Sequence, residues 1–292
     1  MVVFAYLLAL AAAWFVISWV SEYPVLVQVF IAYVVATFVI FAFSVLFRNS
    51  SFYDPYWSVI PIVLVGYFAW LSPDFGLRHL LVGIVILGWG LRLTGNWLYT
   101  WRGLDHEDWR YVMLREQTGI LWWPVSLTGV HLVPTVVVFL GCIPLYAALV
   151  TGDRAVNLLD GVAFVVGMLS IWLEYRADVE LHRFRAVRTS RAEVLDQGLW
   201  GLCRHPNYLG ELGIWVSAFL FGYAALGEAD AWMISGPVVM FILFLFISIP
   251  MIEKKLLADK PGYEDYRQRT FMLLPIPRAR SRVGNGAGGD SR

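Results

Sequence analysis

The sequence predicts an all-α fold, a polytopic membrane helix bundle of seven to eight transmembrane helices. Composition is the first reason. Of 292 residues, 59% are hydrophobic and only 15% are charged, against about 25% charged in a soluble domain. Mean hydropathy is +0.65. A chain this short has too little interior to hide that much apolar surface from water. Arrangement is the second reason: the apolar residues fall into eight runs, most of them about 18 residues or longer, the length a helix needs to cross a bilayer while satisfying its own backbone hydrogen bonds.

The runs are approximately 3–20, 25–47, 55–72, 80–100, 126–150, 158–179, 207–226 and 231–252. The first has no basic segment before it and no small-residue cleavage site after it, so it reads as a retained helix. The third is the weakest. Charge in the connections supports the count, because Lys and Arg gather on the cytoplasmic side. Connections after even-numbered runs carry Arg48, then Arg102, Arg110 and Arg115, then Arg183, Arg185, Arg188, Arg191 and Arg204, and finally Lys254, Lys255 and Lys260. Those after odd-numbered runs hold only Arg78 and Arg154. Eight helices with both termini cytoplasmic fit this pattern. Ser281 to Arg292 are polar and Gly-rich, the composition of a disordered tail. No internal repeat points to a transporter built from inverted halves.

Other classes are excluded directly. Lys+Arg and Asp+Glu are 22 each, so no basic excess points to nucleic acid. Cys142 and Cys203 are too few for a disulfide framework, and His79, His106, His131, His182 and His205 form no H-x-x-x-H pair, so no metal is expected. There is no G-x-G-x-x-G or Walker sequence.

Ionisable groups in or beside apolar runs are costly and therefore mark candidate sites. Tyr53, Asp54, Pro55, Tyr56 and Trp57 open the third run, with Pro55 suited to a first helical turn. Arg92 and Asn96 are four apart and share a helix face. Glu174, Asp178, His182 and Arg185, at steps of four, four and three, form one polar stripe. The densest cluster is Arg204-His205-Pro206-Asn207-Tyr208, followed by Glu211. Pro206 can open a helix whose free N–H groups, beside Arg204 and His205, suit a phosphate, with Asn207 and Glu211 one turn apart to grip polar groups. Tyr263 and Tyr266, three apart, could cover a ligand. Lys254 and Lys255 read as markers of the cytoplasmic edge.

The stretch from about 170 to 278, with Arg204-His-Pro-Asn-Tyr-Leu-Gly-Glu211 and Tyr263-Glu-Asp-Tyr266, resembles the superfamily of membrane steroid 5α-reductases, sterol C14-type reductases and isoprenylcysteine methyltransferases. Tyr53-Asp-Pro-Tyr-Trp57, Arg92 and Glu107-Asp-Trp-Arg-Tyr111 are similar to the bacterial steroid 5α-reductase-like branch. The resemblance implies one reductase domain over 1–280, with N-terminal helices in 1–50, a substrate side in 51–125 and a cofactor half in 126–280. It implies NADPH held by Glu174, Asp178, His182, Arg185, Arg204, His205, Asn207, Tyr208, Glu211, Tyr263 and Tyr266. Glu174 stands where steroid reductases tend to have asparagine, and Trp89 where they have the catalytic tyrosine, leaving Tyr53, Asp54 and Tyr56 as expected proton donors with Arg92 as their electrostatic partner. Trp57, Trp89 and Asn96 are then expected to meet the substrate. The implied reaction is reduction of an enone C=C bond, as in a 3-oxo-Δ4 steroid that enters from the bilayer, with the cofactor entering from the cytoplasm; the bacterial branch would sit in the inner membrane. No obligatory protein partner is implied. An S-adenosylmethionine-dependent methyltransferase and a non-catalytic lipid-binding scaffold remain open, since the shared motif does not separate them.

Overall fold

The structure, a computed structural model, describes residues 1–276; the expected tail at 281–292 lies outside the described residues. Seven helices among them are long and apolar enough to cross a membrane: α1 (Val2–Trp19), α2 (Val25–Leu46), α4 (Leu77–Thr100), α5 (Trp109–Thr151), α6 (Leu158–Val187), α7 (Pro206–Leu226) and α8 (Ala231–Asp259). Between α2 and α4 lies α3 (Tyr56–Leu71), the weak third run, 16 residues long with Pro61 inside it. A short α9 (Tyr263–Arg269) follows α8. The protein is therefore an integral multi-pass helix bundle.

Contacts at the two ends fix the path of the chain. At one end Tyr6 Oη donates to Phe52 O (2.8 Å), Ser50 N to Glu107 Oε1 (2.7 Å) and Asn49 Nδ2 to Leu104 O (2.7 Å). At the other, Arg78 pairs with Asp160 (2.7 Å) and donates to Arg154 O (2.9 Å), while Asn157 Nδ2 donates to Ala224 O (3.0 Å). α3 joins the two ends. Its first turn adjoins Asp54, which meets Tyr111, and its last brings Phe68 within 5.3 Å of the Tyr146 ring. Eight helical segments thus alternate in direction, and the arginine-rich connections gather at one end. Arg78, a cation at the arginine-poor end, is neutralised by Asp160.

Several helices outrun the expected spans for a simple reason. α6 continues to Val187 and α8 to Asp259, carrying charged side chains into the aqueous layer, where a helix still satisfies its own backbone. α5 begins in a polar turn at Trp109–Thr118, bends at Gly119 (φ 53°), and widens into π-helix at Ser126–Leu132 and Ala147–Thr151. Pro134 and Pro144 adjoin those stretches, where a missing N–H disturbs the regular ladder. α6 and α7 approach closely because Gly210 presents only a hydrogen to the Glu174 side chain.

Candidate functional site, a basic cleft beside buried carboxyls

Two chambers open at the arginine-rich end. The larger, about 860 Å³, is walled by the 51–54 and 100–109 segments, the end of α6 and the end of α8. Six cations line it: Arg102, Arg185, Arg188, Arg191, Lys255 and Lys260. Its acids are Asp54, Asp108 and Asp259, and each already has a partner. Asp108 pairs with Arg110 (2.7 Å), Asp259 with Lys255 (2.8 Å), and Asp54 accepts from Tyr111 Oη (2.6 Å) with Arg110 at 3.4 Å. Among the described residues, Arg102, Arg185, Arg188 and Arg191 make no ion pair. Burial first, and then the nearby Arg188 and Arg185, lower the Lys260 ammonium below its ordinary range. Trp97 and Trp101 stack 5.2 Å apart on the same wall.

The smaller chamber, about 240 Å³, shares Arg185, Arg188 and Lys260 with the larger and is more aromatic, lined by Trp200, Asn207, Tyr208, Tyr263 and Tyr266. α9 and the strand-like 271–272 segment close it. Arg204 N donates to Phe271 O (2.8 Å), His205 N to Met272 O (3.1 Å) and Tyr266 Oη to Trp200 O (2.5 Å).

Deeper in the membrane lie two buried polar groupings. Glu211 on α7 is 5% exposed and is caged by three indoles. Oε1 accepts from Trp57 (3.1 Å) and Trp215 (3.1 Å), and Oε2 from Trp89 (2.8 Å). Next to it, Arg92 on α4 reaches across to α6, pairing with Glu174 and, at 2.8 Å, with Asp178. One helical turn nearer the cleft, His182 Nε2 is 2.8 Å from Asn96 Oδ1.

These positions redraw several expectations. The Tyr53 and Tyr56 phenols are not proton donors facing a site: both are buried among Tyr6, Tyr33 and His131, with Tyr53 Oη 2.8 Å from Thr135 Oγ1. Helix α3 turns that face into the core, and only Asp54 lines the cleft. Arg92 is not the partner of that segment, because two carboxyls on α6 hold it; Asp54 has Arg110 and Tyr111 instead. Trp89 offers no stacking surface for a substrate, whereas Trp57 is half-buried. Their N–H groups are spent on Glu211, and Trp89 is fully buried edge-on to Trp215. The Asn96 Oδ1 is engaged by His182. Arg204 and His205 do not wait for a phosphate: Arg204 Nε (2.7 Å) and His205 Nε2 (2.9 Å) both meet Glu253 Oε1, and Arg204 Nη1 donates to Arg267 O (3.0 Å) and to Thr270 O. Burial keeps the His205 imidazole below its usual range despite Glu253. Glu174, Asp178, His182 and Glu211 are absent from the cleft walls, whereas Arg185, Arg204, His205, Asn207, Tyr208, Tyr263 and Tyr266 stand in them.

The sequence profile described as "Protein of unknown function (DUF1295)" matches residues 40–270. The chain belongs to the DUF1295 family. It is similar to a Schizosaccharomyces pombe protein named "Uncharacterized protein C594.04c", 24% identical over 278 residues, covering 86% of this chain and 80% of that protein. No solved structure matches significantly.

The matched region holds both chambers and both buried groupings. Four residues of the chambers, the groupings and their supports escaped the sequence reading. Glu253 stood only in a charged helix edge, Lys255 and Lys260 read as markers of the cytoplasmic side, and Trp215 lay unremarked in an apolar run. Only the i, i+4 spacing of Glu211 and Trp215 hinted at the indole cage.

Proposed function

We propose that this DUF1295 protein is an NADPH-dependent membrane oxidoreductase that reduces the C=C bond of an enone lipid, with a 3-oxo-Δ4 steroid as the substrate class. The observation that carries the reading is the cleft of unpaired arginines. Unpaired guanidinium groups crowded at one mouth repel each other and favour a ligand with several negative charges. A dinucleotide with a pyrophosphate and a 2′-phosphate has that charge. S-adenosylmethionine carries a sulfonium and no phosphate, so the same cleft opposes it.

Arg185, Arg188, Arg191, Arg102 and Lys260 would hold the phosphates, and the aromatic chamber of Trp200, Asn207, Tyr208, Tyr263 and Tyr266 would receive a flat ring. When bound, NADPH would supply a hydride to the β-carbon of the enone. The chain's own part is to hold the cofactor from the cytoplasmic face, the side marked by the arginines, and to exclude water from the apolar interior where a lipid enters. The superfamily resemblance supports this reading.

The test is thermal stabilisation of the detergent-purified protein, since a ligand that binds only the folded state raises its stability. NADPH should stabilise strongly and in a salt-sensitive way. NADH, lacking the 2′-phosphate, should bind about 10- to 100-fold more weakly, and Arg188→Ala should narrow that ratio. Stabilisation by S-adenosylmethionine and not NADPH would favour the methyltransferase; stabilisation by neither would favour a scaffold.

A further inference from the structure

Glu174 sits where the bundle has more carboxyls than cations. It is 2% exposed, on α6. The groups facing it are Arg92 from α4, Asp178 one turn along its own helix, and Glu211 on α7, whose negative charge acts on it. α3 contributes no charge here, only the Trp57 indole on Glu211. Arg92 pairs with Glu174 and Asp178, and Arg185 nearer the cleft also acts on Asp178, so two guanidinium groups stand against three carboxyls. Were all three ionised, the grouping would carry one uncompensated negative charge away from water, which is more costly than taking up a proton.

Hydrogen bonding identifies the carrier. Glu211 receives three N–H donors over its two oxygens and is offered no acceptor, surroundings that suit a carboxylate. Asp178 has the Arg92 Nη1 donor and lies nearer the cleft. Glu174 Oε2 accepts from Arg92 Nη2, while its Oε1 and the Arg92 Nε–H are both buried with no hydrogen-bond partner. A bare carboxylate oxygen left without a donor there would be the most expensive arrangement of all. A hydroxyl at Oε1 removes the charge.

We propose that Glu174 is a neutral, protonated acid in the membrane interior and stores the proton that completes the reduction. This use of the proton rests on the reductase reading; the protonated state does not. Conjugate reduction requires one proton besides the hydride. The Glu174 Oε1–H bond breaks and its proton passes by way of Asp178 and His182, on the same face of α6, toward the cleft, where a C–H bond forms at the α-carbon with the electron pair left there by hydride addition; Glu174 is left a carboxylate beside Arg92. Water at the cleft, beside Arg185, then restores the proton by the same route through His182 and Asp178, which lie four residues apart on one face of α6.

The experiment is infrared difference spectroscopy of the full chain in detergent at pH 7.5, in H2O and D2O, without cofactor. A deuterium-sensitive C=O band of a protonated carboxyl is expected. It should vanish in Glu174→Gln, persist in Glu211→Gln and shift in Glu174→Asp, which keeps the acid should the glutamine variant fail to fold. Absence of the band from the parent protein, or its survival in Glu174→Gln, overturns the proposal. Sodium-dependent stabilisation of a parent protein without the band would likewise overturn it, showing a metal cation in the proton's place. NADPH stabilisation is scored separately, so a failed reductase reading and a failed proton site give different results.

Discussion

Removing Glu253 should open the aromatic chamber without dissolving the bundle. Its Oε1 accepts from Arg204 at 2.7 Å and His205 at 2.9 Å, with Tyr263 Oη at 3.5 Å, and these residues are nearly all buried. Glu253→Ala leaves the Arg204 guanidinium with backbone carbonyls only. Losing one side of a buried pair costs about 3–5 kcal/mol, and here the cost falls on the element that Arg204 anchors, the segment from α9 to Met272. At about 1.4 kcal/mol per decade, opening of that segment should become roughly 100- to 4,000-fold more frequent. Hydrogen exchange is the assay. The Arg204 and His205 amides, which donate to Phe271 O and Met272 O, should lose protection by that factor, while amides in the middle of α7 keep theirs. Trypsin should also cut after Arg267 and Arg269 earlier in the variant than in the parent. Unchanged protection at residues 204 and 205 would refute the view that Glu253 latches the tail; equal loss throughout α7 would show that it holds up the whole bundle instead.

Asp54 makes stability depend on pH. Burial pushes its carboxyl up to about 6, against the lowering pull of Arg110, so the folded state keeps a proton that the unfolded chain has released. Stability from this group is therefore full below about 4 and lost as pH rises to about 6, up to about 3 kcal/mol. Asp54→Asn should raise the apparent melting temperature at pH 7.5 and leave it nearly unchanged at pH 4; equal shifts at both would refute the assignment. At the opposite end, Arg78→Met strands the buried Asp160 and should lower stability by about 3–5 kcal/mol, with Arg78→Met/Asp160→Leu recovering much of the loss. Melting curves of the two variants check it, and a double variant as weak as the single one would count against a simple charge-pair account.

The α-helical membrane class, the order of its helices and the side that collects arginine were all legible in the sequence, because each depends on local quantities: run length, apolar content and the sign of charge in each connection. The polar stripe of Glu174, Asp178, His182 and Arg185 was legible too, since helical spacing alone puts those residues on one face. Which partners they meet was not. Arg92 can turn toward α3 or α6, and only the crossing of α4 against α6 gives it Glu174 and Asp178. The same holds for Tyr53 and Tyr56, polar residues at a helix start that the rotation of α3 buries, and for Glu211, whose donors come from α3, α4 and α7. Arg204 and Glu253 are 49 positions apart, and no local pattern joins them. Periodicity places a side chain on a face of its own helix; which neighbour that face touches depends on helix rotation and crossing, and these are set by packing between distant segments.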